Sequence, residues 1–572
     1  MIELLNVASY QSAQLATLAT IADIFRVEET FSFAQVRLKF LEVLAHHLES
    51  LASRQKKEKD VLEMNTSAQI RFQKASFQVI DSVYWYAYKV LAGLLKALSQ
   101  QSNSKLQVQA AWVLQALAKG EDLMKSKILE NNELRASLVK ALSQHSNPTM
   151  KLPAAAAFVD LATGQDSIKS KIVGTDKVLG GLAKCLSADM NPRLQEAAEM
   201  ALSNLACGKN SVKSNILETE EVLGGLGRVL SKDNNPELQV EAANALSNLA
   251  GRGDSIKSKI LENNEVLPAL VNGSPRLQLP AASALGILAD GEESIKSKIL
   301  ETDEILEVLA KSLSHDSNPE LQVQAAWALK NLAGGGNSVK SKILETDEVV
   351  GALRRFVSKD SNPELQVEAA LALYALATGV DLLKLKILEK HEVLASLVQA
   401  LCQERSPKLH VPAVAAFVGL ANVPNSIKSK ILGTEKVLGG LLRSLSNDSN
   451  PGLQVIAAQA LVNLARGEDS SKWKILENNE VLPGLVSGMS KEGNPKLQLR
   501  ATSVVVGLAS GEDSIKSKIF GTDEVLEALV RSLSNDSNPE LQVEAAKALS
   551  NLGRAGDSSN SKYWRIVSFF LV

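Results

Sequence analysis

Apolar and polar residues follow a helical period in a phrase that returns along most of the chain. The phrase reads NPELQVEAANALSNLA at 235–250, NPELQVQAAWALKNLA at 318–333 and NPELQVEAAKALSNLG at 538–553. Its apolar residues are spaced three and four apart, which places them on one face of a helix. The phrase therefore predicts an amphipathic helix that buries one face in every copy.

The copy at 318–333 shows the two faces. The apolar spacing predicts a buried stripe formed by Leu321, Ala325, Leu329, Leu332 and Ala333. Spacings of four and three residues predict a second, accessible stripe formed by Glu320, Gln324, Trp327 and Asn331. Small residues on the buried side let neighbouring helices approach closely. One such helix cannot bury its apolar face alone, so stacked copies must bury it together.

The leucine or methionine that follows the first three residues of the phrase marks its phase, and we call it the anchor. The anchors are Leu106, Met150, Leu194, Leu238, Leu277, Leu321, Leu365, Leu409, Leu453, Leu497 and Leu541. Successive anchors lie 44 residues apart, except for Leu238 and Leu277, which lie 39 apart. Eleven phased copies indicate a repeat architecture rather than several globular domains.

Each copy contains three predicted helices. The first carries SIKSKILE and follows pairs such as Asp254-Ser255 or Asn337-Ser338, which are good N-cap types. The second carries VLGGLLRSLS or a variant and follows Thr-Asp-Glu, in which Thr346 can cap the helix and the two acids suit its dipole. The third is the repeated phrase, with Asn362 as its predicted cap and Pro363 at the first helical position.

Composition narrows the class of protein. Hydrophobic residues make up 45% of the 572 residues, which is too many for a disordered chain. Lys and Arg number 62 against 64 Asp and Glu, so net charge gives no pull toward nucleic acid or an anionic membrane. The three cysteines are odd in number and irregular in spacing, which predicts no disulfide framework or zinc site. We therefore expect a cytoplasmic or nuclear location.

The period, the three-helix division and the phrase AAWALKNLA at 325–333 resemble the armadillo repeat, over residues 85–557. The resemblance implies an all-α, right-handed alpha-alpha superhelix of about eleven repeats, each roughly 44 residues long. It also implies that the third helices line a concave groove. In that family, Asn bonds the backbone of an extended peptide, and Trp four residues earlier packs against basic side chains.

Carried onto this sequence, the resemblance predicts a peptide-binding stripe on the third helices. An amide both donates and accepts hydrogen bonds, which suits an extended backbone of any sequence. The acids of the stripe would favour a basic ligand, although they are equally explained as helix-start acids favoured by the dipole. The candidate binding residues are Trp112, Asn204, Glu241, Asn248, Gln324, Trp327, Asn331, Glu368, Asn463 and Asn551.

The chain shows no constellation of reactive residues that would indicate an enzyme. It lacks a nucleophile elbow, a phosphate-binding loop and an H-E-x-x-H motif, and its six histidines form no ligand cluster. We expect no catalytic activity, cofactor, metal or small-molecule substrate. The repeated K-S-K of the first helices, as at Lys340 and Lys342, would form a row of cations. Acids such as Glu345 follow in step, so a neutralised, solvated edge is expected rather than a nucleic-acid site.

The ends and one copy depart from the repeat. Residues 1–84 read as a helical N-terminal region or cap, and 558–572 as a short apolar tail that caps the last copy or, alternatively, binds a PDZ-type pocket. No uncharged apolar run reaches the ~20 residues that a membrane span needs. The copy at Leu277 has lost five residues at the end of its second helix, which suggests a hinge as a hypothesis.

These features favour a non-enzymatic scaffold or adaptor that binds a protein or an extended peptide, and the acids of the stripe would favour a basic one. Two alternatives stay open. One is a nuclear-import-type adaptor for basic peptides, although only the copy at Trp327 and Asn331 carries both residues of the family's pair. The other is an armadillo-only regulator of small GTPases, which no residue of the stripe distinguishes from a scaffold.

Overall fold

The computed structural model describes residues 91–99, 104–142, 148–175, 177–186, 191–231, 235–251, 253–315, 318–358, 362–389, 392–401, 407–434, 436–535 and 537–554. Within these ranges the backbone forms helices joined by turns and short loops, and no strand. The all-helical prediction is therefore confirmed for this part of the chain. The predicted N-terminal region at 1–84 and the tail at 558–572 lie outside the described residues. No helix within the same ranges is long and apolar enough to cross a bilayer.

The chain divides into two compact units, Met1–Val229 and Leu230–Val572. In the first unit residues 91–99 are helical. They are followed by α1 Ser104–Ala118, α2 Asp122–Glu130, α3 Asn132–Leu142, α4 Pro148–Ala162, α5 Asp166–Val173, α6 Val178–Leu186, α7 Pro192–Ala206, α8 Asn210–Leu217 and α9 Glu220–Leu230, which ends at the boundary.

The helices of the second unit continue the same order. They are α10 Pro236–Ala250, α11 Asp254–Glu262, α12 Val266–Val271, α13 Gln278–Ala289, α14 Glu293–Ile299, α15 Glu304–Leu313, α16 Pro319–Ala333, α17 Asn337–Glu345, α18 Asp347–Ser358, α19 Pro363–Ala377, α20 Asp381–Glu389, α21 Glu392–Leu401, α22 Pro407–Ala421, α23 Asn425–Gly433, α24 Val437–Leu445, α25 Pro451–Ala465, α26 Asp469–Glu477, α27 Val481–Met489, α28 Pro495–Ala509, α29 Asp513–Phe520, α30 Asp523–Leu533 and α31 Pro539–Gly553.

Three kinds of helix alternate in both units. The helix α1 is a third helix, α2 and α3 are the first and second helices of the next copy, and the order repeats to α31. Within each unit a helix packs on the helix of the same kind in the next copy. Thus α16 packs on α19, α18 on α21 and α17 on α20. Serial packing of this kind is how a solenoid builds a continuous core from copies that are unstable alone.

The predicted apolar stripe of the third helices forms the core. Leu321, Ala325 and Leu329 are at most 1% exposed, and the same holds for Leu332 and Ala333. The accessible stripe of the same helix is half-buried or exposed, as the spacing predicts. Burying a leucine side chain stabilises a fold by roughly 2 kcal/mol, so a stripe of this size repeated in every copy dominates the packing energy.

The third helices begin with the predicted cap. Asn318 Oδ1 accepts a hydrogen bond from the backbone N–H of Leu321 at 3.0 Å, and Asn362 Oδ1 accepts one from Glu364 at 2.9 Å. Proline follows each asparagine at the start of the helix, where a missing N–H costs nothing. The Asn-Pro pair therefore fixes where these third helices begin.

The predicted caps of the first helices are wrong. The helix α11 begins at Asp254 and its N-cap is Gly253, which forms no side-chain cap hydrogen bond. In the same way α17 begins at Asn337, after Gly336. Asn337 serves the next copy instead, because its Oδ1 accepts from the backbone N–H of Val380 at 3.2 Å. Asn337 therefore joins two copies rather than starting its own helix.

The second helices carry their acids where the dipole favours them. The helix α18 begins at Asp347 and has Asp347 and Glu348 in its first turn, as predicted. The hydroxyl of Thr346 donates to the carbonyl oxygen of Lys342 at 3.2 Å, which continues the end of α17. The equivalent Thr522 before α30 forms no side-chain cap hydrogen bond. Threonine at this position is thus not the cap that the sequence suggests.

The glutamine that follows most anchors closes the end of the second helix, which the sequence did not suggest. Gln322 Nε2 donates to the carbonyl oxygen of Leu313 at 3.0 Å, and Gln239 Nε2 donates to that of Leu230 at 2.7 Å. Both side chains are buried, Gln239 completely. The last carbonyls of a helix lack intrahelical partners, so an amide in reach satisfies a group that burial would otherwise leave unbonded.

The inner lysine of K-S-K is buried, which corrects the expected solvated edge. Lys340 is 7% exposed, and its Nζ donates to Thr378 Oγ1 at 2.9 Å, just past the end of α19. Lys257 Nζ donates in the same way to the carbonyl oxygen of Asp290 at 2.8 Å, past the end of α13. A cation at a helix C-terminus is favoured by the dipole, so this lysine ties each first helix to the next copy.

The outer lysine of K-S-K points toward the preceding copy. Lys342 Nζ donates to the carbonyl oxygen of Leu300 at 3.0 Å. In the first unit, Lys171 Nζ lies 3.3 Å from Glu130 of the preceding copy. The two lysines of one phrase therefore act in opposite directions along the stack. Acids lie near both of them, since the inner Lys257 Nζ is also 3.8 Å from Oδ1 of Asp254.

The five missing residues of the copy at Leu277 shorten two helices. The helix α12 has six residues, whereas the matching α27 has nine. The third helix α13 has 12 residues instead of 15 and begins after Leu277 without a side-chain cap. The predicted shortening of the second helix is confirmed, and the hinge at this copy stays a hypothesis.

Candidate protein-binding surface

The accessible stripe of the third helices includes the third, sixth and tenth residues after each anchor, and we call it the third-helix surface. In the second unit the sixth position is occupied by a different residue in most copies. These residues are Asn244, Ser283, Trp327, Leu371, Ala415, Gln459, Ser503 and Lys547. All of them are exposed or half-buried, except for Ser503, which is 6% exposed. The positions that vary are thus the ones that reach the surface.

The two tryptophans of this surface have different surroundings. Trp112 of the first unit is 38% exposed. Trp327 is half-buried and lies flat over Gly286 of α13, where a Cβ on Gly286 would overlap Cε3 and Cζ3 of the indole. No other third helix has glycine at this position, nine residues after its anchor, and no other copy of the second unit has tryptophan at the sixth. Trp327 therefore fills a space that Gly286 leaves.

The asparagines of the stripe bond to the preceding third helix. Asn331 Nδ2 donates to the carbonyl oxygen of Gly286 at 2.9 Å, and Asn463 Nδ2 to that of Val418 at 3.1 Å. In the first unit, Asn204 Nδ2 donates to Val159 at 3.3 Å. Each acceptor is in the last turn of its helix, where carbonyls lack partners. One amide N–H of these asparagines is therefore used within the chain.

The remaining predicted residues lie on the same stripe. Glu241 is exposed, and Gln324, Asn248 and Asn551 are half-buried. Glu368 is also half-buried, and its Oε2 lies 2.9 Å from Nζ of Lys330 in the preceding third helix. Eight of the ten candidate residues belong to the second unit, while Trp112 and Asn204 belong to the first. The structure brings Trp327 and Asn331 together around Gly286.

A depression of about 400 Å³ on the third-helix surface carries cations that the sequence-based prediction missed. It lies over α28 and α31, and its charged lining includes Arg466, Arg500 and Lys547. Glu544 is in the same depression, accepting hydrogen bonds from Lys547 Nζ at 2.7 Å and Ser503 Oγ at 3.0 Å. Burial acts to raise the pKa of Glu544, but these two donors hold it below its ordinary value. The sequence does carry a signal for a basic surface here, because α22, α25 and α28 contain no acidic residue.

Groups that could support other chemistry are sparse. Among the described residues, no cluster of three or more His, Cys, Asp or Glu side chains could hold a metal ion. Cys185 and Cys207 are free thiols. Cys185 is buried, and burial raises the pKa of its thiol to about 11, which disfavours the reactive thiolate.

Comparisons with known proteins bear on the fold. No protein-family model matches the chain, and no curated protein matches it. A solved structure described as "Crystal Structure of Engineered Protein", from the Northeast Structural Genomics Consortium, is 26% identical, with a TM-score of 0.54, and covers 82% of this chain and 100% of its own. A second structure with the same description is 27% identical, with a TM-score of 0.38, and covers 43% of this chain and 99% of its own. With the serial packing, the first likeness supports a helical solenoid.

Proposed function

We propose that the chain is an armadillo-type solenoid that works as a non-enzymatic scaffold or adaptor in the cytosol or nucleus. In this proposal, segments of partner proteins bind to the third-helix surface. The helical repeat fold supports the solenoid part of this proposal, and the chemistry of the third-helix surface supports the binding role.

One observation carries the proposal: the repeated polar residues are used inside the stack, while the varied ones face outward. The capping asparagines, the buried glutamines and the inner lysines bond to neighbouring helices. The third and sixth positions after the anchor differ between copies and remain accessible in nearly every copy of the second unit. A row of different accessible side chains on a rigid support suits the recognition of another polypeptide.

Asn331 keeps hydrogen-bonding capacity for an extended partner. A side-chain amide has two N–H donors and one carbonyl acceptor. Asn331 uses one donor for Gly286, so its second donor and its carbonyl oxygen can still pair with a peptide backbone. This supports the peptide-binding role while adding a packing role to the same residue.

The charge of the first copies in the second unit supports a basic partner less than the sequence suggests. Lys330 neutralises Glu368, and Arg276 NH1 lies 2.9 Å from Oε1 of Glu237. Glu241 remains exposed. A basic ligand would therefore meet fewer uncompensated carboxylates in these copies than the sequence alone suggests.

The test compares two triple variants of the full chain in affinity capture, with partners quantified by mass spectrometry. Glu241→Ala, Asn244→Ala and Leu371→Ala change the third-helix surface without touching the contacts around Gly286. Ser255→Ala, Lys259→Ala and Lys430→Ala change exposed residues of the first helices as the control. We expect specific partners to drop at least about fivefold for the first variant alone, which corresponds to about 1 kcal/mol. Equal capture by both variants would remove the assignment.

A further inference from the structure

Three successive third helices of the second unit contain no acid, and two of them contain basic residues. The helix α22 carries Lys408, α28 carries Lys496 and Arg500, and α25 has no charged residue but is followed by Arg466. By contrast α19 and α31 each carry two glutamates. The sign of charge on the third-helix surface therefore changes along the second unit.

The depression over α28 and α31 brings the two arginines to one place. Arg500 is at the third position after its anchor, where α19 and α31 have Glu368 and Glu544. Arg466 comes from the C-cap of α25, and both arginines line the same depression. Arg500 is half-buried and Arg466 is exposed. A ligand on this surface would meet both guanidinium groups together.

Neither guanidinium group is held by a direct contact, although Arg466 acts at longer range on Glu544 and helps to lower its pKa. Across the described ranges, neither Arg466 nor Arg500 forms a side-chain hydrogen bond or an ion pair. Lys547 and Glu544 compensate each other at 2.7 Å. The remaining acid of the lining, Glu540, is exposed in the first turn of α31, where the helix dipole favours it. Two cations thus face one solvated carboxylate.

Apolar side chains lie beside the arginines. Val543 is 53% exposed, and Leu499 is half-buried in the same depression. Because the side chain of Val543 is exposed near the N-terminus of α31, it adds nothing to the core of its own copy. The combination of free guanidinium groups and accessible aliphatic side chains matches a ligand that carries both carboxylates and an apolar side chain.

We propose that the third-helix surface from α25 to α31 binds an acidic segment of a partner protein that also carries an apolar residue. Arg466 and Arg500 hold its carboxylates, for which the planar guanidinium group is well shaped. Leu499 and Val543 hold its apolar side chain. This inference rests on the proposed function and names the chemistry of the partner at one end of the surface.

A single-stranded nucleic acid fits the same surface less well. Binding of single strands combines cations with aromatic side chains on which bases stack. The lining of the depression contains no aromatic residue. Phosphates alone would be held by two arginines, without a platform for bases. An acidic segment with an apolar residue would instead contact both arginines and both aliphatic side chains.

The experiment measures binding of fluorescent probes to the full chain by anisotropy at low salt. The probes are a ten-residue peptide of Asp, Glu and Leu, the same peptide with Lys in place of its acids, the same peptide with Ser in place of Leu, and a ten-nucleotide uridine RNA. The protein variants are Arg466→Gln with Arg500→Gln and, as a control with the same charge change, Lys259→Gln with Lys430→Gln. Both control lysines are exposed on first helices.

We expect the acidic Leu peptide to bind at least about tenfold more tightly than the Lys peptide, and the Ser peptide to bind more weakly than the Leu peptide. The arginine variant should weaken the acidic peptide roughly tenfold, and the lysine variant less than about twofold. Circular dichroism should show equal helicity for both variants. Equal peptide affinity in wild type and the arginine variant overturns the inference, and so does tighter binding of the RNA.

The two proposals can fail separately. If the acidic peptide does not bind but partner capture still depends on Asn244 and Leu371, the charge assignment is wrong and the scaffold surface stands. If capture also ignores those residues, the proposed function fails as well.

Discussion

The contact between Trp327 and Gly286 predicts that Gly286→Ala changes the free energy of unfolding in opposite directions with and without the indole of Trp327. In the wild type, Gly286→Ala would place a methyl group inside the indole of Trp327, so α13 and α16 must separate or the ring must turn out. Overpacking of this kind costs roughly 1–3 kcal/mol. Alanine also favours a helix interior over glycine by about 1 kcal/mol. The clash should win, with a net loss of up to about 2 kcal/mol in the free energy of unfolding.

The same change should be stabilising once the indole is removed. Trp327→Ala alone costs the apolar area that the ring buries, about 2–4 kcal/mol for a half-buried tryptophan. In that background the methyl group introduced by Gly286→Ala meets no ring, so only the helix preference of alanine remains, worth about 1 kcal/mol. The double-mutant cycle should therefore give a coupling of about 1–3 kcal/mol between the two positions.

The cycle is measured by guanidinium unfolding followed by circular dichroism, because one background lacks a tryptophan. Repeat proteins can unfold in parts, so hydrogen exchange of peptides from α13 and α16 locates the effect. Protection there should fall in Gly286→Ala, which also loosens the hydrogen bond from Asn331 to Gly286, and return partly in the double variant. An effect of Gly286→Ala with the same sign and size in both backgrounds would refute the packing described for Trp327.

Three further predictions test other contacts. Gln322→Leu should cost about 1–3 kcal/mol in chemical unfolding, because it leaves the buried carbonyl of Leu313 without its donor, whereas Gln324→Leu two residues later should cost less than about 0.5 kcal/mol. Lys177 has φ of 68°, so Lys177→Gly should raise the stability of the first unit by up to about 1 kcal/mol, while Lys184→Gly inside α6 should lower it by about 1 kcal/mol in thermal unfolding. Burial lowers the pKa of Lys340 and of Lys428 in the folded chain. Between these lowered pKa values and the ordinary value of about 10.4, the unfolded chain binds more protons than the folded chain, so the free energy of unfolding rises with pH. Lys340→Met with Lys428→Met should flatten this rise in urea midpoints, and Lys259→Met with Lys430→Met should leave it unchanged.

The periodic part of the fold was open to prediction from sequence because it depends on spacing within one helix. The anchor at Leu321, the buried stripe and the cap at Asn362 need no knowledge of neighbours, and the structure confirms all three. The roles of Gln322 and Lys340 were not predicted. Both depend on which atom of another helix lies within reach, and a glutamine or lysine in a polar phrase reads equally well as a solvated residue.

The candidate surface was predictable in position and less so in detail. The stripe through Gln324 and Trp327 is accessible as the period indicates. The packing of Trp327 depends on one glycine in the preceding copy, which periodicity cannot reveal. The arginine pair was visible as a change of charge between copies, but its meaning requires the structure, since Arg466 reaches the site from outside a third helix.

Site-directed photo-crosslinking is the most direct test of whether partner proteins bind to the third-helix surface. A photoreactive amino acid is placed in the full chain at one of four accessible positions of that surface or at one of two exposed positions of the first helices. The surface positions are Asn244, Leu371, Gln459 and Lys547, and the control positions are Lys259 and Lys430. We expect the same partner protein to be crosslinked from at least two surface positions and from neither control. Crosslinks from the control positions, with none from the surface, would contradict it.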